Sequence, residues 1–175
     1  ADLQPLIDSG LKAHANTRHE TGQFVLAAPE QPVRASLTAD AAQAVLYYLR
    51  TFFTDVVVDA APVLDDATHV ALTACKFAAV VLSPDVGSVE TARGSLRTLA
   101  ALSVTDAQVR LVLNQPTAEA HVPQAAVEKA LGRSLDAAVP YDRAQAAALA
   151  QGLPLILSQP QAALPQAVIG LAARL

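Results

Sequence analysis

Residues 76–99 read KFAAVVLSPDVGSVETARGSLRTL. Two unlike patterns follow one another here. Phe77 to Leu82 is a short continuous apolar run, the length of a strand buried on both faces. A loop at residues 84–88 interrupts it. Ser88 is then a candidate N-cap for a helix over 89–103, with Glu90 near its start, where a helix dipole favours an acid.

The same alternation extends outward in both directions. Upstream, residues 22–28 (GQFVLAA) predict a strand closed by Pro29 and Pro32. Residues 38–53 predict a helix, with Thr38 as N-cap and Val45, Leu46, Leu49 and Phe52 at helical spacing. Thr54 and Asp55 break it. Three valines at 56–58 predict a strand ending at Asp59, and residues 65–76 a helix with acids in its first turn. Downstream, residues 109–113 predict a strand stopping at Asn114, and 123–131 a helix with Gly132 as C-cap. A short strand at 134–139 precedes Pro140. Residues 143–151 form an Ala-rich helix ended by Gly152, and 164–175 a final helix.

Strand and helix alternating at such intervals indicate βαβ units. The fold class is α/β, a mostly parallel sheet with helices on both faces, in one domain over residues 1–175. Such sheets bind ligands at the carboxyl ends of their strands. The residues to inspect are therefore Pro29, Asp59, Ser83, Pro84, Asn114 and Pro140.

Composition narrows the class further. The chain has 175 residues, 53% of them hydrophobic but only 4% aromatic, so its apolar mass is mostly Ala, Val and Leu. With 12 Lys and Arg against 16 Asp and Glu, the net charge is -4, which gives no basic field for nucleic acid. Cys75 is the single cysteine, so there is no internal disulfide. It reads as a buried small hydrophobe at a helix end rather than a nucleophile. His14, His19, His69 and His121 are scattered, without metal-ligand spacing. No run approaches the about 18 apolar residues of a membrane span, and residues 1–20 lack a signal-peptide layout. The default compartment is the cytoplasm. A start at Ala1 and the absence of Met are compatible with a piece of a longer polypeptide.

Taken together, the strand ends form a pattern. Residues 53–66, FTDVVVDAAPVLDD, resemble the Walker B and switch II region of the MinD/ParA family of P-loop ATPases. There an apolar strand ends in Asp and a Pro follows three residues later, the positions of Asp59 and Pro62. FVLAAP resembles the strand that precedes Walker B. KFAAVVLSPDVGSVETARGSLRTL, VRLVLNQ and LGRSLDAAVPYDRAQAAALAQGLPLIL look like the family's later blocks in order. The paired acids at 65–66 and the Pro-Asp-x-x-Ser phrase are most similar to its pilus-assembly, CpaE-like branch. The likeness covers residues 22–175.

The resemblance implies roles. Asp59 would act on Mg²⁺ and its water, as catalytic and metal residue; a carboxylate can hold a hydrated Mg²⁺ without an all-protein cage. Asn114 would read adenine through its amide, which donates and accepts at once. Pro140, Tyr141 and Asp142 would form the loop that packs on the base, and Pro62 would belong to the switch. The implied cofactors are ATP and Mg²⁺. Residue by residue, plainer roles stand beside these: Asp59 as a strand-end cap, Asn114 as a turn residue, Tyr141 as a packing side chain.

One part of the family pattern has no counterpart here. A P-loop wraps phosphate with a Gly-rich turn followed by Lys and Ser or Thr. Lys12, Lys76 and Lys129 are the only lysines, and none lies in such a turn. In the family the P-loop strand runs inside the sheet, so the resemblance implies a sheet incomplete or contracted at its N-terminal strands. Three outcomes are open: a fragment, direct pairing of the 56–58 strand with 77–82, or a strand supplied by another copy.

The functional reading is the C-terminal portion of a MinD/ParA-like ATPase of spatial positioning or pilus assembly, not itself competent to hydrolyse ATP. The alternative is a degenerate, non-catalytic interaction module. A flavodoxin-like or receiver-like domain is disfavoured, because no strand ends in a usable Lys. The implied partner is a second copy or another protein of the assembly, without direct nucleic-acid binding. Residues 164–175 carry only Arg174 as a base, too little for a membrane anchor; this helix is expected to pack on the sheet.

Overall fold

The structure is a computed structural model that describes residues 21–26, 37–60 and 62–175. The expected features at Pro29, Pro32, Lys12 and residues 1–20 lie outside these. The chain divides into two compact units, residues 1–74 and 75–175.

In the first unit, helix α1 (Ala39–Phe52) starts as the sequence indicates. The Thr38 hydroxyl accepts the Ala41 N–H at 3.3 Å, satisfying one of the donors that a helix start leaves open. Helix α2 (Asp66–Ala74) packs against α1. Asp65 caps it from outside, its carboxylate accepting the Thr68 N–H at 2.8 Å. Of the strand expected at 22–28, the described part shows an isolated bridge at Phe24, whose ring lies 5.2 Å from that of Phe53.

The strand expected at 56–58 is not formed. Three valines favour extended backbone, but a strand exists only where its N–H and C=O groups meet a neighbouring ladder. Residues 56–58 lie outside regular structure, and Val57 is 96% exposed.

The second unit holds the sheet. Strands β1 (Ala78–Leu82), β2 (Val109–Asn114) and β3 (Ala137–Val139) are parallel in the order β1-β2-β3. Helix α3 (Val86–Ala101) links β1 to β2, and α4 (Gln124–Leu131) links β2 to β3. Three further helices follow: α5 (Ala144–Ala150), α6 (Leu155–Ser158) and α7 (Ala163–Ala172).

Alternation along the strands sends side chains to two faces. Leu82 and Leu113 pack with Val89, Ala92 and Val127 from α3 and α4. Val112, Ala137 and Val139 face the other way and are covered by Leu164, Ala167 and Leu171 of α7. The final helix thus packs on the sheet, as its composition indicates. Helices on both faces of a parallel sheet confirm the α/β class.

Several boundaries differ from expectation for local reasons. Helix α3 begins three residues early because Asp85, not Ser88, is its N-cap: the Asp85 carboxylate accepts the Ser88 N–H at 2.8 Å. The Ser88 hydroxyl turns back to accept the Ser83 N–H at 2.8 Å. Strand β3 starts at Ala137 rather than 134, since Leu135 donates its N–H to the Glu128 carboxylate instead of to a ladder. The turn of helix α6 was not expected, since Pro154 and Gly152 signal a loop. Gly132 and Gly152 end their helices with φ of +70° and +66°, where glycine carries little strain.

Leu111 and Val127 are fully buried. Leu111→Ala is expected to cost about 3 kcal/mol in urea unfolding, from lost burial plus the cavity left behind. Asp85→Ala is expected to cost about 1 kcal/mol by the same measurement, through loss of the cap.

Candidate functional site

Because β1, β2 and β3 are parallel, the segments that leave their carboxyl ends share one edge. These are residues 83–85, 114–115 and 140–142. Asn114 stands opposite Val139 in the ladder, and the Gln115 N–H donates to the Val139 carbonyl at 2.9 Å. The start of the 140–142 loop is therefore fixed beside the end of β2. The Val122 N–H donates to the Pro84 carbonyl at 3.0 Å, which ties the loop after β2 to the loop after β1.

Between these segments lies a cavity of about 240 Å³ lined by residues including Pro84, Leu113, Gln115, Val122, Gln124 and Pro140. Its walls are mostly apolar, and the amides of Gln115 and Gln124 supply polar groups. The Gln115 amide donates to the Ala118 carbonyl at 3.4 Å, and that of Gln124 to Glu128 at 3.4 Å. Both contacts are long, so each amide can reorient toward a ligand at little cost.

Asn114 does not line this cavity. Alternation puts it on the Val112 face, while the cavity opens on the Leu113 side. Gln115 follows Leu113 by two residues and falls on the cavity side. The sequence reading missed Gln115, although period-two alternation through the strand end would have found it.

Pro140 lines the cavity, and Tyr141 is 43% exposed. Asp142 is occupied with the backbone: its carboxylate accepts the Ala144 N–H at 2.9 Å, shaping the entry to α5. In the first turn of α5, the Gln145 Oε1 is buried without a hydrogen-bond partner, alone in this among the described residues.

Asp59 and Pro62 belong to the first unit; both are exposed and stand outside regular structure. Asn114, Pro140, Tyr141 and Asp142 belong to the second unit, and the sheet brings these four to one edge. Among the described residues no group of three or more His, Cys, Asp or Glu side chains could hold a metal. A magnesium ion at Asp59 would depend on water and phosphate oxygens for its remaining ligands.

Among the described residues, two groups have shifted proton affinities. The Asp65 carboxyl is held below its ordinary range, chiefly by the Thr68 backbone N–H and then by the Thr68 side chain. Burial pushes the Cys75 thiol up. Cys75 is half-buried rather than fully buried, and a raised thiol stays protonated and unreactive. No helix of the described residues is long and apolar enough to cross a membrane.

No family model matches the chain, and no curated protein matches its sequence. Solved structures do match its fold. A ParA family ATPase from Chlorobium tepidum aligns over 100% of this chain and 71% of its own, with TM-score 0.79 and 17% identity. The MinC:MinD cell division complex of Aquifex aeolicus aligns over 78% of this chain and 58% of its own, with TM-score 0.66 and 16% identity. The septum site-determining protein MinD of Pyrococcus horikoshii, complexed with Mg-ADP, aligns over 78% and 56%, with TM-score 0.65 and 19% identity. The chain thus spans less than two thirds of those two MinD-related chains. At such identities the likeness shows the fold alone: this chain folds like the matching parts of ParA and MinD ATPases.

The shift at Asp65 gives a pH signature. A carboxyl whose folded pKa is depressed contributes stability that is present above its unfolded pKa. That contribution is lost as pH falls through the lower, folded value. Wild-type stability is therefore expected to fall on acidification below the ordinary Asp range by more than that of Asp65→Asn, as followed by thermal melts across that window.

Proposed function

We propose that this chain is the C-terminal portion of a MinD/ParA-like ATPase that acts in spatial positioning or pilus assembly. The observation that carries the reading is the shared carboxyl edge of β1–β3, where Asn114 and the loop from Pro140 to Asp142 are held side by side in a fold of that type. The Mg-ADP complex of the Pyrococcus horikoshii MinD and the MinC partner of the Aquifex aeolicus MinD support a nucleotide and a protein partner as the things to test.

The residues fit the two ends of a nucleotide unequally. On the base side, Gln115 and Pro140 offer an amide and an apolar wall at the cavity, and Asn114 offers an amide on the opposite face, groups of the kind that suit a purine edge and face. On the phosphate side, none of the chain's three lysines follows a Gly-rich run in the sequence and precedes Ser or Thr. Asp59 offers a carboxylate of the kind that engages a hydrated Mg²⁺. Phosphoryl transfer depends on positioning and charge neutralisation by the missing type of loop. No hydrolytic step is derived for these 175 residues.

The lack of that turn also favours a second reading, a degenerate ATPase-like module that acts through its surface. The two separate on the coding sequence upstream: an intact KGGxGKT-like loop supports the first, a damaged one the second. For the chain itself, no metal-dependent ATP turnover is expected in a coupled assay, and measurable turnover would contradict the assignment. Adenosine nucleotides are expected to raise the melting temperature. A ligand at 100 times its Kd adds about 2.7 kcal/mol. Asn114→Ala is expected to reduce that rise without lowering the unliganded melting temperature by more than a few degrees.

A further inference from the structure

The carboxyl edge offers a base three carboxamides: Asn114 on one face of the sheet, and Gln115 and Gln124 in the cavity wall on the other. A carboxamide donates from its nitrogen and accepts at its oxygen, and a half-turn about its last torsion exchanges the two. Which base it selects therefore depends on what fixes that torsion.

None of the three is firmly held. Among the described residues no hydrogen bond fixes the Asn114 amide. Gln115 and Gln124 each make one contact at 3.4 Å, to the Ala118 carbonyl and the Glu128 carboxylate. Both contacts are long and exposed, so water can replace them. Gln108 shows the contrast. Its oxygen accepts from the Thr105 N–H at 3.0 Å and the Thr105 hydroxyl at 2.9 Å, while its nitrogen donates to the Cys75 carbonyl at 3.3 Å. Its two ends cannot be exchanged without losing all three bonds.

Backbone groups point in fixed directions and would read a pattern. Yet the Gln115 and Val122 N–H groups are bonded to the Val139 and Pro84 carbonyls, and Pro84 and Pro140 have no N–H. The Gln145 Oε1 is buried, and so closed to a ligand.

Adenine presents an amine beside a bare ring nitrogen, a donor and then an acceptor. Guanine and hypoxanthine present a carbonyl beside a ring N–H, the reverse order. An amide locked one way would leave like groups facing each other on the wrong base, a mismatch worth roughly tenfold to a hundredfold in affinity. A free amide turns over and satisfies either. We infer, resting on the reading of this edge as a base site, that it takes purine nucleotides without discriminating adenine from guanine or hypoxanthine.

Amide chemical-shift titrations of the full chain with AMP, GMP and IMP test this, the phosphate being common to all three. The wild-type Kd values are expected to agree within about fivefold. Asn114→Asp and Gln115→Glu replace a reversible amide by a carboxylate that only accepts. Guanine offers a carboxylate two neighbouring donors, its ring N–H and its amine, whereas adenine offers one beside a bare nitrogen. At least one of the two variants is therefore expected to prefer GMP to AMP by about tenfold or more. A larger wild-type preference for any of the three overturns the inference and leaves the base reading standing. Equal binding that neither folded variant biases also overturns it, since the amides would then not be what meets the base. No saturable shift with any of the three would overturn the base reading itself, and this inference with it.

Discussion

The register of β3 on β2 is set by a reciprocal pair, and the candidate site takes its geometry from that register. Asp136 donates its N–H to the Leu111 carbonyl at 2.9 Å, and its carboxylate accepts the Leu111 N–H at 2.8 Å. The Arg110 guanidinium lies 3.9 Å from the other Asp136 oxygen and 4.4 Å above the Phe77 ring, so the same corner ties β2 to the residue before β1. A slip of one residue would exchange the two faces of β3. It would turn Ala137 and Val139 away from α7 and move Val139 out of line with Asn114.

From that pairing the rest follows along the strands. β2 runs down the middle, and its Val109, Leu111 and Leu113 are buried on one face and Val112 on the other. Two apolar faces need two layers, which α3 and α4 supply on one side and α7 on the other. Parallel strands then deliver their exits to one edge. There Pro84, Gln115 and Pro140 enclose a cavity and Asn114 stands on the opposite face. The site is therefore a consequence of direction and register, with little dependence on any single side chain.

The parts legible in the sequence were those decided by local patterning. The apolar runs at Ala78–Leu82 and Val109–Asn114, the Thr38 cap and the Gly132 stop are all in place. Reading failed where two neighbours competed for one task. Asp85 and Ser88 can both cap a helix, and the outcome depended on Ser88 being drawn back to the Ser83 N–H. It failed again at residues 56–58, because valine content reports backbone preference and says nothing about whether a ladder partner is present. That Asn114 and Pro140 stand at strand ends on the carboxyl edge was legible, whereas the place of Gln115 in the cavity wall depended on which face the strand's last residues take.

The central claim is that the carboxyl edge of β1–β3 recognises a nucleotide base. Amide chemical-shift mapping of the full chain, titrated with ATP, ADP and adenosine, tests it most directly. Saturable shifts common to all three ligands and concentrated at Asn114, Gln115, Tyr141 and their neighbours are the expected result. No saturable shift at millimolar ligand, or shifts that follow the phosphates and leave those residues still, would contradict it.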